Sequence, residues 1–327
     1  MVTVEKQQYM ADLTVDLAPS NPRELVLRNP VIPASGCFGY GLEYSPMIDV
    51  QRLGAFVCKG ITPKPRSGNP MPRITETPAG MLNAIGLQNP GIDGFIRKYP
   101  PTWEHWRVPA IVNISAESVE DYAMMARKLD DVAGIAGIEV NISCPNIEAG
   151  GFCFGWDARM SEAVTRAVRE ATTLPVIVKL SPGALDIMEI ASAVEGAGAD
   201  AVSLINTLVG MTIDPRTRRS KIANLTGGLS GPAVKPVAVR MVYQVASVVK
   251  IPVVGIGGIS GVQDALEFFM AGASAVQVGT AVFSTPSMLT RLIDELGAWL
   301  DSNGCTSLHD IVGAANPASG AKGESTF

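Results

Sequence analysis

The sequence predicts an α/β fold in which parallel strands alternate with helices, and two observations carry this prediction. First, eight short runs are rich in apolar and β-branched residues, and most are apolar throughout, as is typical of parallel strands buried on both faces. Second, helical spacing lies between these runs. The predicted strands span Val31–Ser35, Ala55–Gly60, Pro109–Ser115, Gly137–Ser143, Pro175–Ser181, Ala201–Thr207, Pro252–Gly258 and Ala275–Thr280.

The helical spacing is clearest in three of the intervening segments. Apolar residues recur one turn apart over 163–171, 187–194 and 262–269, and Asp157 is placed to cap the first of these helices. Eight strand–helix units with no obvious reversal of strand order predict a closed (β/α)8 barrel, a TIM barrel, over the alternative of a doubly wound sheet. We expect one domain over 1–327, with an N-terminal extension over 1–24, insertions in the loops after strands 2, 4 and 6, and a flexible tail over 314–327.

The bulk composition argues against several classes of protein. The chain is 47% hydrophobic and 17% charged, which is enough apolar material for a large core and argues against disorder. The net charge of −5 and the lack of a basic block give no reason to expect nucleic acid as a partner. No apolar run reaches the roughly 18 residues that span a bilayer, and the N-terminus does not resemble a signal peptide. We therefore expect a soluble, cytoplasmic protein.

Cysteine and histidine usage limits the available chemistry. No two cysteines form a C-x-x-C pair, so we expect no disulfide, no metal site and no iron–sulfur cluster held by this chain alone. The two histidines are interpreted as structural, which leaves Cys, Lys, Asp or Glu for acid–base work. The cysteines are Cys37, Cys58, Cys144, Cys153 and Cys305.

A polar residue or a glycine stands at the end of every predicted strand. In a TIM barrel these ends share one rim, which is where the chemistry sits. Each residue alone has an ordinary structural interpretation, such as a lysine that reaches solvent or a glycine in a turn. Together they indicate a polar ligand, because buried Asn and Lys cost free energy unless they are paired. The strand ends carry Ser35, Lys59 with Gly60, Asn113, Asn141, Lys179, Asn206 with Thr207, Gly257 with Gly258, and Gly279 with Thr280.

The last two strand ends predict a site for a phosphate. Gly257 with Gly258 and Gly279 with Thr280 offer bare backbone N–H groups, each just before a helix. Flavin mononucleotide (FMN) suits such a site, with a lysine near the negative charge of the reduced ring. Spacing alone does not separate FMN from a sugar phosphate.

Cys144 follows the fourth strand in a loop that contains Gly150, Gly151 and Gly155. A cysteine here is either a packed small hydrophobe or a reactive thiol. Asn141, Ser143 and Asn146 surround it, and this polar setting favours the reactive interpretation.

Taken together, these segments resemble those of class 1 dihydroorotate dehydrogenases. Asn141–Asn146 is similar to the active-site loop of that family, and Gly150-Gly151 with Phe154-Gly155 resembles class 1B, the NAD-linked heteromeric kind. The resemblance covers nearly the whole chain. Its further motifs are Ala34–Gly39, Lys59–Thr62, Glu76–Gly80, Asn83–Asn89, Asn206-Thr207, Gly227–Gly231 and Gly255–Gly258.

The resemblance implies a set of ligand contacts. Cys144 would be the catalytic base that takes a proton from C5 of dihydroorotate while C6 gives a hydride to FMN. The implied FMN contacts are Ser35, Lys59, Gly60, Asn113, Asn141, Lys179, Ile205, Gly231, Gly257, Gly258, Gly279 and Thr280. The implied substrate contacts are Lys59, Asn83, Ala84, Ile85, Gly86, Leu87, Asn141, Asn206 and Thr207.

The resemblance also implies a partner. In class 1B a second subunit carries FAD and a [2Fe–2S] cluster, in a heterotetramer around a homodimer of the catalytic chain, and passes electrons to NAD. Consistently, this chain has no cysteine cluster and no Gly-x-Gly-x-x-Gly fingerprint after a strand. Two alternatives stay open: a flavin barrel of the dihydropyrimidine dehydrogenase type, and a phosphosugar-binding barrel without redox chemistry.

Overall fold

A parallel sheet of eight strands forms the centre of the molecule. The computed structural model describes residues 9–143, 145–146 and 152–317. In the sheet, strand β1 neighbours β8, and the order continues β7, β6, β5, β4, β3 and β2. The strands are β1 (Val31–Pro33), β2 (Phe56–Val57), β3 (Ala110–Ile114), β4 (Gly137–Asn141), β5 (Val176–Lys179), β6 (Ala201–Leu204), β7 (Val253–Ile256) and β8 (Ala275–Val278).

The two ends of this order meet, so the sheet curls round into the predicted barrel. The N–H of Gly54, just before β2, donates to the carbonyl of Val31 in β1 at 3.1 Å. At the other end of the same seam, Ser35 Oγ donates to the carbonyl of Cys58 at 2.8 Å. The prediction of a (β/α)8 barrel is therefore confirmed.

Helices cover the outside of the barrel. The three segments with helical spacing all form helices, and the Asp157 side chain caps α4 by accepting from the N–H of Met160 at 2.9 Å. Short 3-10 turns span Val50–Arg52, Phe154–Trp156, Pro232–Val234 and Leu308–Asp310. The helices are α1 (Gly91–Lys98), α2 (Pro100–Trp103), α3 (Val119–Leu129), α4 (Ala158–Ala171), α5 (Ile187–Gly196), α6 (Lys235–Ala246), α7 (Val262–Ala271), α8 (Ala281–Ser284) and α9 (Met288–Ser302).

All eight predicted strands exist, and each ends earlier than predicted at its carboxyl end. The prediction ran β1 to Ser35 and β6 to Thr207, whereas the ladders stop at Pro33 and Leu204. Beyond the ladders the chain leaves the sheet, and Ser35 already lies in a turn. These residues make no ladder bonds, so their polar groups can serve the rim.

The insertions after β2 and β6 build a second sheet that the sequence did not predict. We call this antiparallel, four-stranded element the rim sheet. Its strands, in spatial order, are Leu208–Gly210, Gly227–Ser230, Gly80–Asn83 and Ile74–Thr77. Shorter antiparallel pairs join Val15–Asp16 to Val26–Leu27, Ile213–Asp214 to Arg219–Ser220, and Pro145–Asn146 to Phe152–Cys153.

The two ends of the described chain pack against the barrel. Leu13 and Leu17, in the segment predicted as an extension, are buried in the core. Asn316, at the start of the predicted tail, is also buried, and its amide donates to the carbonyl of Tyr243 at 2.8 Å. None of the helices in the described ranges has the length and apolarity needed to cross a membrane.

An aromatic cluster fixes the first insertion to the barrel. Trp103 of α2 meets Phe56 of β2 edge-on at a centroid distance of 5.1 Å, and its indole N–H donates to the carbonyl of Tyr40. Tyr40 in turn stacks on Tyr99 at 3.7 Å. Because such rings bury large areas in fixed geometry, the cluster anchors the insertion that carries Asn83 to the rim.

Candidate active site

A buried carboxylate, Glu139, organises the polar interior of the barrel. It lies in the middle of β4, is 0% exposed, and receives hydrogen bonds from three other strands. Asn113 Nδ2 donates to Oε1 at 2.7 Å, while Ser203 Oγ and Gln277 Nε2 donate to Oε2 at 3.0 and 2.6 Å. Lys179 Nζ lies 3.6 Å from Oε1. A buried charge of this kind is tolerable because its partners satisfy both oxygens.

The ends of β7 and β8 form a cradle of backbone donors. Within the described part of the chain, the N–H groups of Gly257, Gly258, Gly279 and Thr280 donate no hydrogen bond. All four residues are half-buried and stand directly after β7 and β8. Gly257 and Gly258 have φ of +135° and +74°, which only glycine adopts readily. Unpaired backbone N–H groups at the ends of two neighbouring strands suit an anion.

The rim sheet adjoins the cradle at Gly231, whose carbonyl oxygen would lie 3.0 Å from a Cβ added at Gly258. Gly231 follows the strand Gly227–Ser230 with φ +98°, and a Cβ added there would lie 2.6 Å from the Cα of Gly80. Thr280 Oγ1 donates to Ser230 Oγ at 2.8 Å, so the loop after β8 is tied to the same strand. Two predicted cofactor contacts, Gly231 and Thr280, therefore lie side by side.

Two asparagines meet at the ends of β4 and β6. Asn206 Nδ2 donates to Asn141 Oδ1 at 3.2 Å, and the N–H of Thr207 donates to Asn206 Oδ1 at 2.8 Å. The N–H of Ser143 also donates to Asn141 Oδ1, and Ser143 Oγ has no partner among the described residues. The predicted base, Cys144, lies outside the described residues.

The predicted substrate segment, residues 83–87, begins at the end of a rim-sheet strand and ends beside Gly60 after β2. Asn83 Nδ2 donates to the carbonyl of Gly228 at 3.3 Å, and a Cβ added at Gly228 would lie 2.2 Å from Thr207 Oγ1. Leu87 reaches towards Gly60, where an added Cβ would lie 3.4 Å from Leu87 Cδ2. The structure thus brings Asn83, Thr207, Leu87 and Gly60 to one side of the barrel mouth.

Backbone hydrogen bonds from other residues of the insertion after β2 hold the middle of that segment, Ala84 and Ile85. The N–H of Ala84 donates to the carbonyl of Arg73, and the carbonyl of Ile85 accepts from the N–H of Asn69. Gly86 follows with φ +76°. Their backbone bonds shape the segment so that its two ends reach the rim.

Lys59 is the half-buried cation of the rim. Burial lowers its pKa, and the charge of Arg73 lowers it further. A cavity of about 410 Å³ opens beside it, and this cavity contains none of the four cradle residues. Its lining residues are Tyr40, Lys59, Arg66, Gln88, Asn89 and Pro90.

Two more predicted contacts lie below the rim. The Ser35 hydroxyl is bonded to the carbonyl of Cys58 in the barrel seam. Ile205 is 3% exposed and packs beside Gly257, whose added Cβ would lie 3.6 Å from Ile205 Cγ1. Ile205, the residue directly after β6, therefore packs against the cradle.

The polar floor formed by Glu139, Ser203 and Gln277 was not predicted from the sequence. The predicted contacts stand at strand ends, whereas these side chains belong to the interior of β4, β6 and β8. A signal was present, because a lone charge or amide inside an apolar strand run is costly to bury without partners.

The fold and the site define an enzyme-like barrel with an anion cradle at β7 and β8 and a polar, lysine-containing floor. The dihydroorotate dehydrogenase family model matches residues 20–300. The chain is 54% identical over 303 residues to the catalytic subunit of dihydroorotate dehydrogenase B (NAD(+)) from Pelobacter propionicus, covering 93% of this chain and 98% of the relative.

Two further relatives carry the same name. The protein from Geobacter metallireducens is 54% identical over 303 residues, covering 93% of this chain and 98% of the relative. The protein from Desulforudis audaxviator is 53% identical over 296 residues, covering 90% and 96%. The chain belongs to the dihydroorotate dehydrogenase family and is an oxidoreductase.

Proposed function

We propose that this chain oxidises dihydroorotate to orotate in de novo pyrimidine biosynthesis, with FMN as the hydride acceptor. The observation that carries the proposal is that three polar groups stand at or just after the carboxyl ends of the barrel strands. They are the unpaired N–H groups of the cradle, the buried Lys179, and the pair Asn141–Asn206. The names of the relatives support dihydroorotate as the substrate.

The cradle fits the phosphate of FMN. Its four unpaired N–H groups match phosphate oxygens, which accept several hydrogen bonds at once. Lys179 and Asn113, which both contact Glu139 of the polar floor, would hold the ring end of the cofactor, and Lys59 and Asn141 would contact it at the rim. When bound, FMN supplies the acceptor for a hydride, and a nearby cation favours the negative charge of its reduced form.

The asparagines fit the ring of the substrate. Dihydroorotate has amide donors and acceptors, and Asn83, Asn141, Asn206 and Thr207 offer the complementary groups. Its carboxylate would pair with the ammonium of Lys59, because charge-assisted hydrogen bonds are the stronger kind. These residues would hold the substrate against the cofactor and exclude water.

Cys144 is proposed as the base on the strength of the family resemblance and its position just after Asn141 and Ser143. As a thiolate it would take the proton from C5 of dihydroorotate while the hydride leaves C6. A free thiol has a pKa of about 8.5, so a neighbouring cation or backbone dipole would assist its ionisation.

A partner subunit is proposed for the second half-reaction. The relatives are named as catalytic subunits of NAD(+)-linked enzymes. By family resemblance, electrons would pass from FMN through a [2Fe–2S] cluster and FAD on the partner to NAD. The assembly would be a heterotetramer around a homodimer of this chain, and a cytoplasmic location accords with it.

An anaerobic titration tests the proposal. The purified chain should carry FMN, and dihydroorotate should bleach the oxidised flavin, whereas dihydrouracil should not. Asn206→Ala should raise the dihydroorotate concentration needed, while Asn303→Ala, after the end of α9, should not. Bleaching by dihydrouracil instead would favour a dihydropyrimidine dehydrogenase, and a folded, colourless chain that takes up no FMN would favour a phosphosugar barrel.

A second test addresses the partner. The chain alone should pass electrons from dihydroorotate to an artificial dye but not to NAD. Addition of the FAD and [2Fe–2S] subunit should restore NAD reduction. Efficient NAD reduction by the chain alone would contradict the proposed division of labour.

A further inference from the structure

Glu139 connects residues from five of the eight barrel strands. Its own strand is β4, and its partners Asn113, Lys179, Ser203 and Gln277 come from β3, β5, β6 and β8. Oε1 accepts from Asn113 and faces Lys179, while Oε2 accepts from the other two. Any loss of the carboxylate therefore disturbs both cofactor-facing residues, Asn113 and Lys179, at once.

The carboxylate fixes which way the Asn113 amide points. An ionised carboxylate only accepts hydrogen bonds, so the Nδ2 group of Asn113 must face Glu139. Asn113 Oδ1 then faces the other way, and a Cβ added at Gly60 would lie 2.9 Å from it. The amide thus presents an acceptor beside Gly60, which is itself a predicted cofactor contact.

The same carboxylate locates the ammonium of Lys179. Lys179 is 6% exposed and its Nζ lies 3.6 Å from Glu139 Oε1. The negative charge of Glu139 also offsets part of the positive charge that Lys179 offers to a ligand. Because both groups are buried, solvent ions screen this effect little.

We propose that Glu139 is a positioning residue that sets the orientation of Asn113, the place of Lys179 and the electrostatic potential beneath the ring of the bound flavin. It acts through these two residues. This inference rests on the proposed function, since it concerns FMN. It predicts that the charge and the reach of the Glu139 side chain have separable effects.

The charge is tested with Glu139→Gln, which keeps the size of the side chain. Without the carboxylate, the reduced flavin meets less negative charge and Asn113 can turn its amide over. We expect the dissociation constant of FMN to rise about tenfold. We also expect a tenfold shift towards reduced flavin, which for a two-electron couple is a rise of about 30 mV in reduction potential.

The reach is tested with Glu139→Asp, which keeps the charge but withdraws it by one methylene. Aspartate cannot hold Asn113 on one oxygen and Gln277 on the other as Glu139 does. We expect FMN to bind about tenfold more weakly, with a reduction potential that stays near that of the wild type. If Glu139→Gln does not fold, this variant decides the matter, and wild-type FMN affinity in it overturns the inference.

Asp200→Asn serves as the matched control. Asp200 precedes β6 at the opposite end of the barrel, where its carboxylate lies 2.8 Å from Arg169 and accepts from the N–H of Val176. Its loss should lower thermal stability while FMN affinity and potential stay unchanged. A change in FMN affinity as large as that in the Glu139 variants would mean general destabilisation and would overturn the inference.

The measurements are FMN binding to the apoprotein by fluorescence quenching and the flavin potential by anaerobic equilibration with a reference dye. If the wild type binds FMN and Glu139→Gln has the same FMN affinity and flavin potential as the wild type, the inference is contradicted and the proposed function is not. A folded wild-type chain that binds no FMN would contradict the proposed function itself, and the inference with it.

Discussion

Replacement of Gly231 by alanine is a sharp test of how the rim sheet meets the cofactor cradle. Gly231 has φ +98° and ψ −172°, a backbone conformation that is open essentially to glycine alone. An added Cβ would lie 2.6 Å from the Cα of Gly80. That neighbour is backbone held in a ladder, so it cannot swing aside as a side chain would.

The expected loss of stability has two parts. Holding a non-glycine residue in this conformation costs about 1–3 kcal/mol, and forcing an extra methyl group against packed backbone costs about another 1–3 kcal/mol. We expect the free energy of unfolding to fall by about 2–6 kcal/mol, against a typical total of about 5–15 kcal/mol. The variant should therefore fold in most conditions but bind FMN weakly, because the cradle beside Gly231 is displaced.

Urea unfolding followed by circular dichroism measures the stability, and fluorescence quenching measures FMN binding. Gly196→Ala is the matched control, because Gly196 is exposed at the end of α5 and an added Cβ meets no atom within 4 Å. That variant should be as stable as the wild type, or more so by up to about 1 kcal/mol. A Gly231→Ala protein within about 0.5 kcal/mol of the wild type, the spread of ordinary surface substitutions, would refute the reasoning.

Four further predictions follow from the site. Cys144→Ser should keep the flavin spectrum but lower turnover by at least about 100-fold; near-normal turnover would remove Cys144 as the base. Burial raises the pKa of the Cys58 thiol to about 12, so iodoacetamide should label it only after denaturation, as read by mass spectrometry. Burial and a neighbouring cation lower the pKa of Lys59, so acylating reagents should label it faster than exposed lysines, and orotate should protect it; equal rates would count against this. Burial alone would raise the pKa of Asp264, but hydrogen bonds, led by the one from Lys235, lower it. Its stabilising effect should therefore be full above the ordinary Asp pKa and disappear as the pH falls through the lowered value. An Asp264→Asn variant should be less stable than the wild type at pH 7, and the two proteins should be equally stable in strong acid.

The barrel could be predicted because its strands carry a local signal. Residues 176–178 of β5 and Val253–Ile256 of β7 form apolar runs that are buried on both faces, so neighbouring residues alone identify them. The backbone cradle left a similar local trace, since glycine follows two successive strands, as Gly257 with Gly258 after β7 and as Gly279 after β8. Family resemblance supplied the rest of the predicted contacts.

The rim sheet could not be predicted in the same way. Its central ladder pairs Leu82 with Leu229, far apart in the sequence, and its strands are half-buried and rich in glycine. Such strands have little alternation and weakly specified register. Glu139 was missed for a different reason, because its role depends on four partners from other strands that come together only in the closed barrel.

The rim sheet also bears on how this barrel can change. Loops of α/β barrels ordinarily vary one at a time on a constant scaffold. Here the loop after β2 belongs to the first half of the chain and the loop after β6 to the second, yet Met81 pairs with Ser230 and Asn83 with Gly228. This ladder of the rim sheet joins the two halves of the barrel by hydrogen bonds across its mouth. A chimera that exchanges one of these loops must therefore exchange both. A fragment that contains only half of the barrel would lack the partner strands of its rim sheet.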